Sequence, residues 1–395
     1  MEDFLKQRLE ARKEKDLYRS LQPTSALLDF SSNDYLGLAK SRKLYELTKE
    51  TFSEEFSKVK NGAGGSRLLS GNFALFEKCE KTIAQYHNSE TALLFNSGYV
   101  ANIGLLSCIA TRHDTILYDE LIHASVRDGI RLGHAQSFSF SHNSFQNLKD
   151  ILERIIAKNL TKNSQVHSKI FIVVESLYSM DGDSPDLGQF LEVCKEYEKI
   201  FSCYLIVDEA HAAGVYGESG RGLAYKFAEH PHLLARVITY GKAFGLHGAA
   251  VCGSKVLREY LVNFSRPFIY TTAATPEAIC AIYSAYLLMP ELEEERKKLF
   301  TNIRIFSENL LPTSGSPQIE TDQPSGVSQI QTIQIPGNEN VKGVCASVQE
   351  AGFDVRPILS PTVPATKERV RICIHSFNQE KDLLYLATLL RPHAK

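Results

Sequence analysis

No sign of charge prevails in this sequence: 44 Lys and Arg residues face 46 Asp and Glu, a formal net charge of -2. Without a basic field for a phosphate backbone, a nucleic-acid partner is not expected. No uninterrupted run of 18 apolar residues occurs, so no membrane span is expected. The eight cysteines never form a CxxC pair. Because the opening MEDFLKQRLEARKEKDLYR is too charged for a secretory leader, they read as buried, reduced thiols of a cytoplasmic protein. Internal repeats and low-complexity tracts are missing too. Charged residues at 23% and hydrophobic residues at 43% are ordinary globular values, which sets aside disorder and fibres. The 395 residues suffice for two to three domain-sized units with a sizeable core.

The chain is organised as short apolar runs separated by longer mixed segments. The clearest strands are 169–176, 203–210 and 235–241, with weaker ones at 91–96 and 114–119. Strand after helix after strand predicts a mostly parallel sheet covered on both faces. Residues 2–20 suggest a partly amphipathic helix packed onto the body, and 276–310 a long helix broken near Pro290. A Pro/Gly/Ser-rich stretch at 312–326 precedes alternating runs at 330–335 and 369–374. The division expected is an N-terminal segment (1–50), a large α/β domain (51–285) and a small α+β domain (286–395).

Ligands of such sheets bind beyond the carboxyl ends of the strands. There Asp208 ends an apolar run, with His211 three residues on. A metal reading would need a third ligand, which Asp-Glu-x-His does not supply; a structural acid is the other alternative. Lys242 follows a strand among Gly241, Ala243, Phe244 and Gly245, apolar company that lowers an amine pKa as Schiff-base chemistry requires. A plain surface lysine is the alternative, and a phosphate loop is excluded because Ala243 stands where Ser or Thr is needed. The SGY at 97–99 could open a helix whose amides hold a phosphate. His123, otherwise a structural histidine, and Ser179 and Asp181 follow other strands. An amine, an acid, a ring, a hydroxyl and a phosphate site at successive crevice ends are what pyridoxal phosphate needs.

The segments SSNDYLGLA, GAGGSRLLSGN, LLFNSGYVAN, DELIHASVRDG, ESLYSMDGD, VDEAHAAGVYGESGRG, TYGKAFG, RPFIYTTA and SPTVP, in order from residue 31 to 364, resemble the α-oxoamine synthases. These are fold-type I pyridoxal phosphate enzymes with a seven-stranded, mostly parallel sheet and a smaller C-terminal α+β domain. RPFIYTTA is most similar to the branch that makes 8-amino-7-oxononanoate for biotin by a decarboxylating condensation of L-alanine with a pimeloyl thioester of coenzyme A or acyl carrier protein. The resemblance implies Lys242 as the lysine that bonds the cofactor and moves the Cα proton. It implies Asp208 on the pyridine nitrogen, His211 on the ring 3'-oxygen with Ser179 nearby, and His123 stacked on the ring. Gly98, Tyr99 and Thr239 would hold the phosphate, with Thr271 and Thr272 reaching it from the partner of a homodimer whose sites are shared. Asn33 would line the substrate side, and Arg19 would contact the acyl carboxylate.

Three departures bear on substrate. Phe76 stands where relatives have a histidine, and the segment between Arg19 and Leu28 lacks a hairpin that many insert. Leu359 replaces the arginine before the PTVP motif, which makes Arg356 the candidate for the amino acid carboxylate, a buried structural ion pair being the alternative. The same cofactor residues would serve a glycine C-acetyltransferase or, less well without a membrane element, a serine palmitoyltransferase. A non-catalytic binding subunit would be expected to lack Lys242 or Asp208, and both are present.

Overall fold

The computed structural model describes all residues except 1, 16, 22, 24, 25, 59, 162–167, 311–326 and 395, so the stretch at 312–326 lies outside the described residues. Seven strands build the central sheet: β1 (Thr91–Phe95), β2 (Thr115–Asp119), β3 (Gln136–Phe140), β4 (Lys169–Glu175), β5 (Ser202–Asp208), β6 (Leu233–Thr239) and β7 (Ala249–Gly253). Their order is β1-β7-β6-β5-β4-β2-β3, and only β7 runs antiparallel to its neighbours.

The alternation of side chains along a strand divides the core in two. Ile172, Val174, Leu205 and Val207 face one apolar cluster, and Phe171, Val173 and Ile206 face the other. Both faces are covered, so β4 and β5 are apolar between their ends, and each buried Val, Ile or Leu stabilises the fold by about 1.5–3 kcal/mol. The second cluster is roofed by helix α1 (Gly98–Ile109), which contributes Ala101, Leu105 and Leu106, and by α2 (Ala124–Leu132), which contributes Val126 and Ile130. By the same alternation Glu175, Asp208 and Thr239, the last residues of β4, β5 and β6, lie on the face under α1 and α2.

The long helix expected at 276–310 is two, α3 (Pro276–Leu288) and α4 (Glu293–Leu310), with a tight turn over Met289–Glu291 where Pro290 removes a backbone donor. After α4 comes a three-stranded antiparallel sheet, β9-β10-β8, made of β8 (Ile330–Gln334), β9 (Arg356–Ile358) and β10 (Arg369–Cys373). The segment Leu28–Asp29 pairs in parallel with Phe353–Asp354, and the Cys373 amide donates to the Phe30 carbonyl at 2.8 Å. These contacts fix the loop 31–34 beside the end of β10.

The N-terminal helix corrects an expectation: Asp3–Glu14 buries no residue, and Phe4, Leu5 and Leu9 stay exposed. Two strands of the central sheet escaped the sequence reading. β3 is an exposed edge strand of alternating Ser and Phe, and β7 is built from small residues, so neither shows an apolar β-branched run. Among the described residues no helix is long and apolar enough to cross a membrane.

Candidate active site

The carboxyl ends of the parallel strands converge on one cleft. Asp208, buried at the end of β5, accepts hydrogen bonds from the Ala210 amide at 2.9 Å and from Asn102 Nδ2 at 2.7 Å. Asn102 comes from α1 and also donates to Ser125 Oγ at 3.0 Å, and Ser125 Oγ lies 2.7 Å from His123 Nδ1. His123 caps α2, its Nδ1 accepting the Ser125 amide at 3.2 Å, so the ring proton sits on Nε2. Burial holds the His123 pKa below its ordinary value, against the pull of Asp208, which keeps the ring neutral.

Lys242 lies three residues past β6. Its side chain is half-buried, yet burial of the amine lowers its pKa to about 8, against the raising pull of Asp208 and then Glu175. His211 is buried with Nδ1 at 2.7 Å from the Tyr35 hydroxyl. Asn33 Oδ1 can only accept, so Tyr35 donates to it, at 3.0 Å, and receives the His211 Nδ1 proton. Burial, followed by the charges of Lys242 and Arg371, keeps His211 well below the usual histidine range.

The phosphate end is shaped by a close approach. A Cβ on Gly98 would collide with the Thr239 hydroxyl, so only glycine lets the first turn of α1 reach β6. Ser97 caps that helix by accepting the Val100 amide at 3.2 Å, while the first amides of the helix lack intrahelical acceptors. Gly98 and Tyr99 amides and the Thr239 hydroxyl thus form a cradle suited to a phosphate. The Tyr99 side chain turns away to Asp128. Thr271 Oγ1 and the Thr272 carbonyl accept from Asn96 Nδ2 at 3.2 and 3.0 Å, two residues before Gly98.

The substrate side holds an arginine that the sequence reading missed. Arg371, on β10 and 9% exposed, donates to the Ser179 carbonyl at 2.7 Å, to Asn33 Oδ1 at 3.0 Å and to Cys373 Sγ at 3.0 Å. No carboxylate of the described residues pairs with it, and a buried cation without a counter-ion calls for an anionic ligand. Arg356 does not take that place: it is exposed on β9, and its Nε sits 2.8 Å from Asp354 Oδ1. This is an ion pair at the surface and not the buried one of the alternative, because β9 directs residue 356 outward. Two further side chains escaped notice: Asn102, a lone amide in an apolar helix, and Glu175, which ends an apolar strand just as Asp208 does. Phe76 is buried under the Arg67 guanidinium, 4.2 Å from the ring centre, away from the cleft.

From His123 and Ser179 a cavity of about 1250 Å³ extends past Arg19, Arg127, Lys367 and Arg369 to Pro392 and His393. A buried carboxylate, a depressed amine, a phosphate cradle and an unpaired arginine together fit pyridoxal phosphate with an amino acid substrate.

The chain is similar to known proteins along nearly its whole length. Residues 25–389 match the family described as Aminotransferase class I and II. An 8-amino-7-oxononanoate synthase of Emericella nidulans is 37% identical over 393 residues, covering 97% of this chain and 93% of that protein. The crystal structure of 8-amino-7-oxononanoate synthase from Francisella tularensis superposes with a TM-score of 0.72 at 27% identity, over 93% of this chain and 97% of that one. Serine palmitoyltransferase of Sphingomonas wittichii shares the fold, with a TM-score of 0.83 at 23% identity over 99% and 96% of the two chains.

Proposed function

The chain belongs to the class I and II aminotransferase family, as a pyridoxal phosphate-dependent acyltransferase of the α-oxoamine synthase group, and from that premise we propose that it makes 8-amino-7-oxononanoate from L-alanine and a pimeloyl thioester. The observation that carries the substrate choice is the cavity beyond His123. It is roomy enough for an extended acyl chain, and Arg19 and Lys367 on its wall suit a second carboxylate. An acetyl group would leave most of it empty, and a long alkyl chain would strand those cations against hydrocarbon.

Bound pyridoxal phosphate supplies the electron sink that makes the Cα proton of an amino acid removable. The protein's own groups do the rest. Gly98, Tyr99 and Thr239 would hold the phosphate, with Thr271 and Thr272 of a second copy completing the site in a homodimer. Asp208, locked by Asn102, would hold a proton on the pyridine nitrogen by a charge-assisted hydrogen bond. His123 would cover one ring face and His211 would meet the 3'-oxygen. Arg371, steadied by Asn33 and the Ser179 carbonyl, takes the α-carboxylate of alanine in its planar fork. Lys242, with a pKa of about 8, is neutral in a useful fraction at physiological pH and accepts the Cα proton. Arg19 takes the distal carboxylate of the acyl chain.

The test is an end-point reaction of the holoenzyme with L-alanine plus a pimeloyl thioester, beside glycine plus acetyl-CoA and L-serine plus palmitoyl-CoA, with the amino ketone identified by mass. The expected result is 8-amino-7-oxononanoate from the first mixture at a rate at least tenfold above the others. Aminoketobutyrate as the main product would overturn the substrate choice and leave the cofactor residues standing.

A further inference from the structure

Glu175 is buried at the heart of the site, 3% exposed, and has no part in the chemistry derived above. It ends β4 in register with Asp208 on β5, so the two carboxylates stand side by side on one face of the sheet. Its Oε1 accepts the backbone amide of His123 at 2.7 Å, and its carboxylate also receives the backbone amide of Ser179. His123 and Ser179 follow different strands, and the loops bearing them have separate anchors elsewhere. One side chain therefore ties both loops to the strand next to Asp208.

We infer that Glu175 is a positioning residue, a two-amide clamp that sets the His123 ring over the cofactor and holds the Ser179 loop, whose carbonyl in turn orients Arg371. The inference rests on the reading of His123 and Arg371 as cofactor- and substrate-facing groups. Placing a carboxylate beside Asp208 is costly: burial, and then the Asp208 charge, raise the Glu175 pKa to about 8. An apolar side chain would fill the space without that cost, but would leave two buried amides without an acceptor. Glutamine presents a single carbonyl oxygen, and its amide group opposes the second N–H donor, so it can replace only half of the clamp.

The experiment compares wild type with Glu175→Gln and Glu175→Ala by amide hydrogen exchange, read by mass spectrometry over the segments around residues 120–125 and 176–182. It uses the cofactor-free protein and then the holoenzyme, together with the visible circular dichroism of bound pyridoxal phosphate. For Glu175→Ala the expected result is exchange at least tenfold faster in both segments and loss of most of the dichroism at full cofactor occupancy. Glu175→Gln should accelerate one segment only and retain more of the signal. Should the alanine variant not fold, the glutamine variant decides alone. Wild-type exchange in both segments, with unaltered dichroism, overturns the clamp. Exchange in the cofactor-free protein is independent of substrate, so a wrong acyl donor leaves this test intact.

Discussion

In the proposed function Lys242 sets the pH dependence of the site. Its amine must be neutral to bond the cofactor aldehyde, and its pKa is about 8. The rate of cofactor uptake by the cofactor-free protein is therefore expected to rise about tenfold per pH unit below that value and to level off above it. Asp208 raises the Lys242 pKa, so Asp208→Asn should move the midpoint to lower pH. Stopped-flow absorbance checks both; a pH-independent rate would show that the amine is not the titrating group. Arg371 and Arg356 make an opposed pair. Charge-assisted hydrogen bonds are worth about 1.5–3 kcal/mol, so Arg371→Ala should raise KM for alanine about tenfold or more, whereas Arg356→Ala should leave it within about twofold. The sequence suggested Arg356 because it lies close to the missing arginine along the chain. Arg371 carries the subtler signal, a charge inside the alternating strand RVRICI, where every residue of β10 is buried.

At the scale of elements, the loop after β4 is pinned from two sides. Arg369 pairs with Asp181, and His142 sits 2.8 Å from Asp183 and 2.9 Å from Asp119. Burial disfavours the His142 cation, but the hydrogen bonds to Asp119 and Asp183 outweigh it and raise its pKa to about 10. A folded pKa above the unfolded value contributes stability that is fully present below about 6.5 and is lost as pH rises through about 10. His142→Gln should thus lower Tm by about 2–4 °C at pH 6, with a gap that narrows towards pH 10. Equal shifts at both pH values in a melting series would contradict this. The start of α1 makes a second element-scale prediction. Gly98→Ala would force a Cβ into the Thr239 hydroxyl, pushing the first turn off β6 and weakening cofactor retention at least tenfold in equilibrium dialysis. Such ends were legible in the sequence because a buried strand is apolar until it reaches the crevice, where a polar residue stands out. The same rule would have marked Glu175. The edge strand β3 and the small-residue strand β7 carry no comparable contrast.

Across the whole molecule, the separate segments recognised along the sequence come together because parallel strands place their carboxyl ends in one row. The pairing of Leu28–Asp29 with Phe353–Asp354 then brings Asn33 and Arg371, 338 residues apart, within 3.0 Å. No periodicity announces that contact. The proposed homodimer predicts a particle of twice 44.2 kDa by sedimentation. A fully active particle of 44.2 kDa would instead mean that each copy completes its own phosphate site.

The most direct test of the account is where the cofactor attaches. Reducing the holoenzyme with borohydride and mapping its peptides by mass spectrometry should find the pyridoxyl group on Lys242 alone, and Lys242→Ala should bind cofactor without any trapped adduct. A pyridoxyl group on another lysine, or undiminished trapping in Lys242→Ala, would contradict the site described here.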